Sequence, residues 1–195
     1  MHFNFDEQIA LENERVRLEP LREEHVPALR PVILKDVGLL SLSTIKLETA
    51  EDLDHYISVA LAARADNFRY ALAIFDKRSG TYAGSTSYVH ISDKDARLEI
   101  GFTWIGYDYH GTGLNREMKF LMLQYAFETL GCMRVEFKAD SRNTRSRRAM
   151  EKIGATYEGT LRSHMVLPDG YRRNSVCYSI LANEWEQISK TITTK

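Results

Sequence analysis

The sequence predicts a mixed α/β (α+β) fold in one domain over residues 1–195, built mainly from antiparallel hairpins interrupted by single helices. Three observations carry this reading. Short segments alternate apolar and polar residues with the period of a half-buried strand, and turns such as Lys77–Gly80 and Pro168-Asp169-Gly170 join neighbouring ones. Longer segments with helical spacing separate them. Between Arg97 and Leu130 a strand runs through a glycine-bearing turn directly into a long apolar helix.

Taken in order, Glu14–Glu19 alternates and reads as the first strand, ended by Pro20. Arg22–Leu34 follows as a short helix with Val26, Leu29 and Ile33 on one side, and Pro27 and Pro31 bear on its boundaries. Thr49 is placed to cap a second helix, with Asp52 at its third position and Leu53, Ile57, Ala60 and Leu61 as its stripe. Tyr70–Asp76 and Thr81–Ile91 pair as a hairpin. Strand Arg97–Ile105 alternates Leu98, Ile100, Phe102 and Trp104 with Arg97, Glu99, Gly101 and Thr103, and helix Leu114–Leu130 follows its turn. Met133–Ala139 is a further strand, and Asn143–Ile153 a short helix closed by Gly154. A hairpin of Thr156–Leu167 and Arg172–Leu181 comes last, followed by a turn of helix containing Trp185.

The turn His110-Gly111-Thr112-Gly113-Leu114-Asn115 is the strongest chemical signal. Glycine lets the backbone approach a ligand, and the first N–H groups of the helix lack intrahelical partners. With the positive end of the helix dipole they form an anion site suited to a phosphate or pyrophosphate.

Composition narrows the remaining classes. Hydrophobic content of 44% and charged content of 27% are those of a globular protein, and a net charge of −1 argues against a dedicated nucleic-acid binder. No apolar run reaches the roughly 18 residues of a membrane span, and the acidic N-terminal stretch lacks a secretory pattern. Cys132 and Cys177 show neither CxxC nor metal-ligand spacing, which points to a cytoplasmic, reduced setting, to buried thiols rather than nucleophiles, and to no metal.

Three blocks carry a family resemblance. They are Leu98–Asn115, the run from Asn143 through Ser146, Glu151 and Lys152 to Gly154, and Tyr157–Arg162 with Pro168-Asp169-Gly170, Tyr178–Leu181 and Glu184-Trp185. Together they resemble the GNAT superfamily of acetyl-CoA-dependent N-acyltransferases, in particular the RimJ/RimL-like branch of ribosomal-protein N-terminal acetyltransferases. The likeness spans about Arg15 to Ile188. It implies a central, mostly antiparallel, twisted sheet of about seven strands flanked by helices. It also implies acetyl-CoA as acyl donor and direct transfer of the acetyl group to a primary amine, either a protein N-terminus or a small molecule. The acceptor is the expected partner, to a monomer or homodimer, with no membrane and no nucleic acid. The chain departs from the family's loop at His110, where Arg or Gln is usual, and at Asn115, where a small residue is usual. Those departures support an alternative reading, a non-catalytic acyl-CoA-binding or interaction module on the same fold.

By the resemblance, the cofactor would meet the backbone at Trp104 and Ile105, the loop His110, Gly111, Thr112, Gly113, Leu114, Asn115 and Arg116, and then Asn143 and Ser146. Phe102 and Trp104 side chains also fit plain core packing, Arg116 and Lys119 fit either added charge for the phosphate or solvated helix cations, and Asn143 fits an N-cap meeting the amide of Ser146. Ser146 is the candidate acid for the leaving thiolate. Glu99 is the candidate base, mid-strand where a carboxylate is disfavoured, against an ion pair with Arg97 or a neighbour. His90, Tyr88 and Tyr109 are weaker relay candidates. Arg142, Arg145, Arg147 and Arg148 read as a solvated face, an anion-steering patch or, least well, an RNA contact. The acceptor pocket would lie around Ile33–Tyr56 and Arg162–Arg173, where Glu48, Asp52 and Asp54 are placed to attract a cationic amine.

Overall fold

Eight strands form one sheet in the spatial order β1-β2-β3-β4-β5-β6-β8-β7. The structure is a computed structural model and describes residues 1–193. The strands are β1 (Leu11–Glu12), β2 (Val16–Pro20), β3 (Arg69–Asp76), β4 (Thr81–Ser92), β5 (Arg97–Ile105), β6 (Arg134–Asp140), β7 (Thr156–Val166) and β8 (Arg172–Leu181). Every neighbouring pair is antiparallel except β5 and β6, whose crossover carries a helix, as a parallel pair requires. The helices are α1 (Val26–Lys35), α2 (Ala50–Ala65), α3 (Leu114–Gln124), α4 (Thr144–Lys152) and α5 (Ala182–Thr193).

The expected strands and helices are all present, with shifts that have local causes. The first strand starts at Val16 because Asn13 Oδ1 accepts from the amides of Arg15 and Val16, both at 2.9 Å, turning the chain back from the additional two-residue strand β1. The first helix begins later than expected, at Val26, after a 3-10 turn over Glu23–His25; Pro27 then falls in its first turn, where no donor is missed. Helix α2 has the expected cap: Thr49 Oγ1 accepts from the Asp52 amide and Asp52 Oδ2 from the Thr49 amide, each at 3.1 Å. The long helix after the turn is α-helical only to Gln124 and continues as a π-helical turn over Tyr125–Thr129. The C-terminal helix exceeds the single turn expected. Glu184 accepts from the Leu181 amide at 2.8 Å and starts it, and Trp185 stacks on Phe127 to hold it down.

The sheet has two cores, one on each face. Leu98, Ile100, Leu114, Met118, Met122, Phe137 and Tyr178 belong to the face covered by α3. Leu29, Ile33, Leu53, Tyr56, Ile57, Ala71, Ala73 and Trp104 belong to the face covered by α1 and α2. Among the described residues no helix is long and apolar enough to cross a membrane.

Candidate active site

The site begins with a sheet that opens between two strands. Strands β5 and β6 pair only over Arg97–Glu99 and Arg134–Glu136. Along β4, Ser85 faces Trp104 and Ser87 faces Gly101, so two steps on β4 oppose three on β5. The extra residue makes a bulge at Phe102, whose φ is +51°, a left-handed conformation that a bulky residue rarely adopts. Beyond it β5 leaves β6, and backbone groups on the facing edges of Gly101–Ile105 and Phe137–Asp140 are left without strand partners. The same bulge corrects the packing expected for Phe102: its ring is 39% exposed and lies 4.2 Å over the Arg69 guanidinium. Trp104 is a core residue, buried edge-on against Tyr56.

At the end of β5 lies the phosphate-binding candidate. Gly113 has φ +91° as the N-cap of α3, a conformation glycine adopts without strain. Among the described residues the N–H groups of Gly111, Gly113 and Asn115 make no backbone hydrogen bond, which leaves three donors free in the turn and first helical residues. Thr112 is held by its hydroxyl donating to the Tyr109 carbonyl at 2.8 Å, and Leu114 fills the α3 core.

His110 does something different from the arginine it replaces. Its Nε2–H donates to the Ile105 carbonyl at 3.0 Å, and its Nδ1 accepts from Arg145 Nη1 at 3.1 Å. Burial and the neighbouring Arg145 charge both hold its pKa below the ordinary value of 6.5, so the ring is neutral with both nitrogens engaged. It therefore has no donor left for a phosphate. Instead it anchors the end of β5 and aims Arg145, from α4, at the turn. Arg15 Nη2 donates to the Thr112 hydroxyl at 3.4 Å, but its Nε pairs with Asp76 Oδ1 at 2.9 Å, which partly neutralises it. Arg116 is partly neutralised by Glu117 at 3.7 Å. Lys119 departs from both readings of it: it turns inward, is 6% exposed, and donates to Thr103 Oγ1 at 3.0 Å, with burial lowering its pKa to about 7. A methylene stem one turn into an amphipathic helix can bury as readily as it can project, and the sequence does not distinguish the two.

Helix α4 closes the opposite side. Asn143 is the N-cap, its Oδ1 accepting from the Ser146 amide at 3.0 Å, and its Nδ2 makes no hydrogen bond. The Ser146 hydroxyl is likewise without a partner and half-buried. The arginine cluster divides. Arg142 clamps Asp140 through two hydrogen bonds and stacks 3.6 Å from the Tyr171 ring, while Arg147 reaches the Ser141 carbonyl at 3.3 Å. Only Arg145 reaches the turn, and Arg148 is exposed.

Glu99 lies on β5 just where β6 leaves, 7% exposed. Its partners are not Arg97 but His90 Nδ1 at 2.9 Å and Lys138 Nζ at 2.6 Å, both on Oε2. Burial raises its pKa, but the bonds from His90 and Lys138 outweigh burial and hold the carboxyl below 4.5. The hydrogen bond to Glu99 raises His90 above 6.5. Oε1 makes no hydrogen bond and overhangs Gly101, where an added Cβ would sit 3.1 Å from it. The result is an ionised carboxylate with one oxygen beside Gly101 that makes no hydrogen bond among the described residues. Tyr88 leaves the candidate list, because it is fully buried and its hydroxyl donates to the Met122 carbonyl at 2.8 Å. Tyr109 bonds the Thr81 hydroxyl at 2.8 Å instead of approaching Glu99.

Two of the three acidic residues singled out for the acceptor, Asp52 and Asp54, are engaged elsewhere. Asp52 completes the α2 cap, and Asp54 pairs with Arg30 at 3.2 Å. Cys132 is buried as expected and burial pushes its thiol up to about 12, whereas Cys177 is half-buried with its thiol raised, and both shifts disfavour the reactive thiolate.

Residues 15–156 match the acetyltransferase (GNAT) domain. The chain belongs to the GNAT acetyltransferase family. It is 33% identical over 107 residues to "Putative ribosomal N-acetyltransferase YdaF" of Bacillus subtilis (strain 168), a match covering 55% of this chain and 57% of that protein. This GNAT chain superimposes on a GCN5-related N-acetyltransferase from Brucella melitensis with a TM-score of 0.88 at 28% identity, covering 96% of it and 85% of that chain. Mycobacterium smegmatis RimJ, solved in complex with CoA-disulfide, shares the fold at a TM-score of 0.78 and 19% identity, over 95% of this chain and 92% of its own. The YdaF match is one of sequence over part of each chain, whereas RimJ shares the fold.

Proposed function

We propose that the protein transfers the acetyl group of acetyl-CoA to a primary amine by direct attack in a ternary complex. The observation that carries this is the coincidence, at one break in the sheet, of unpaired backbone on β5 and β6, a three-donor helix terminus at one end and a carboxylate with an open oxygen at the other. Acetyl-CoA supplies a thioester, whose carbonyl is the electrophile. The pyrophosphate suits the amides of Gly111, Gly113 and Asn115 under Arg145 and Arg15. The pantetheine arm suits the β5 edge at Trp104 and Ile105 and the free amide of Asn143, as an added strand would. An amine arrives mostly as ammonium at neutral pH. Glu99 Oε1 holds the water that accepts its proton, with His90 and Lys138 fixing the carboxylate from behind. The Ser146 hydroxyl donates toward the departing sulfur, and a backbone N–H beside Ile105 meets the developing oxyanion. Among the described residues the serine that does meet a histidine, Ser175 at 2.9 Å from His164 Nδ1, is fully buried and also bound by Arg173, so it offers no accessible nucleophile, which supports direct transfer over a covalent acyl-enzyme.

The test is thiol release from acetyl-CoA against a panel of α-amines, polyamines, amino sugars and short peptides, beside calorimetric titration of acetyl-CoA. Amine-dependent release with stoichiometric acetylated product is expected. Tight acetyl-CoA binding with no release for any amine would favour the binding-module reading, and no binding at all would reject both.

A further inference from the structure

Resting on the transferase reading, we infer that the acceptor carries a carboxylate close to its amine and that Arg69 receives it. Arg69 opens β3 and is 6% exposed. Its Nε donates to Ser87 Oγ at 2.8 Å and its Nη2 to Tyr56 Oη at 2.5 Å. Both partners are neutral, and among the described residues no carboxylate lies within 4.0 Å of this guanidinium. The ring of Phe102 covers one side at 4.2 Å and that of Tyr56 lies 4.8 Å away. Nη1 makes no hydrogen bond. A buried cation without a counter-charge is costly unless something else pays the difference, and arginine's planar edge matches a carboxylate.

The position fits that role. Arg69 faces Val89 across β3 and β4, and Val89 faces Glu99 across β4 and β5. Directly opposed residues point to the same face, so the guanidinium and the candidate base share one row, two strands or about 10 Å apart. Phe102, whose ring touches Arg69, is the bulge residue that opens the cleft. The arrangement is complementary to a molecule with a cationic end at Glu99 and an anionic end at Arg69. A second buried guanidinium, Arg173 of β8, has no carboxylate within 4.0 Å among the described residues, donates to Ser175 Oγ at 2.8 Å and lies on the terminal hairpin that would wall the acceptor site.

The experiment compares kcat/KM for free amino acids with their carboxamides, and for dipeptides beginning with Asp or Glu with those beginning with Asn or Gln. The first pairing tests an α-carboxylate and the second an acidic side chain of a peptide N-terminus. At least one pairing shows a preference of about tenfold or more for the carboxylate, the scale of a charged hydrogen bond. Arg69→Gln reduces that ratio to near one while KM for acetyl-CoA stays within about twofold, and Arg69→Lys retains part of the preference. A ratio near one in the wild type overturns the inference alone. An equal fall for both members of each pair in Arg69→Gln and Arg69→Lys also overturns it, assigning Arg69 to structure. Absence of thiol release with every amine overturns the transferase reading and this inference together.

Discussion

Glu99→Gln lowers kcat by about 10²- to 10⁴-fold, the range for loss of a positioned general base. Glutamine keeps the shape and an acceptor oxygen, so Lys138 retains a partner and acetyl-CoA affinity stays within a fewfold. The pH dependence separates this from a structural effect. The wild-type carboxyl titrates below its ordinary value because His90 and Lys138 favour the ionised form over the opposing effect of burial. It is therefore charged across the neutral range and takes the ammonium proton there, so the wild-type rate falls only further on the acid side, as the carboxylate itself protonates. In the variant the amine must deprotonate unaided, so the rate climbs with pH toward the amine's own pKa, about 8 for an α-amine, and the deficit narrows. A variant that loses less than about fivefold at pH 7, or a deficit that does not change with pH, would remove Glu99 from the reaction.

Gly84→Ala destabilises the protein by at least about 3 kcal/mol, the upper range for overpacking, which for a chain of this length is a fall in Tm of roughly 6–12 °C. Gly84 lies on β4 opposite Ile105, and an added Cβ would come 2.0 Å from the Trp104 carbonyl oxygen and 2.9 Å from the Ile105 Cα. Both neighbours are backbone, which cannot rotate aside. Relief requires β5 to shift where it enters the turn at His110, so acetyl-CoA affinity falls along with stability. Calorimetric unfolding checks the first effect and titration the second. A Tm within about 2 °C of wild type would show that the two strands do not approach as closely as described.

The parts of this protein that follow local rules were legible in the sequence. Thr49 and Asn143 are both caps, Arg97–Ile105 alternates as β5 does, and Gly113 sits at the helix terminus as its spacing implies. The parts set by contacts across the sheet were not. Nothing near Glu99 in sequence indicates Lys138, thirty-nine residues away, or His90 on the facing strand as its partners. His110 reads as a weak stand-in for arginine, yet the structure makes it the support for Arg145, thirty-five residues on. Phe102 continues an unbroken apolar alternation, and only the register with β4 reveals a bulge there. Arg69 carried no sequence signal at all. Its neutral partners, Ser87 and Tyr56, come from two other elements.

The most direct measurement is a crystal structure of the full chain with acetyl-CoA. The pyrophosphate should lie on the amides of Gly111, Gly113 and Asn115 beneath Arg145, with pantetheine between the β5 edge at Trp104–Ile105 and β6, and the thioester on the cleft side of Glu99 Oε1. Acetyl-CoA bound elsewhere, or bound with its thioester away from Glu99 and the opening between β5 and β6, would contradict the account.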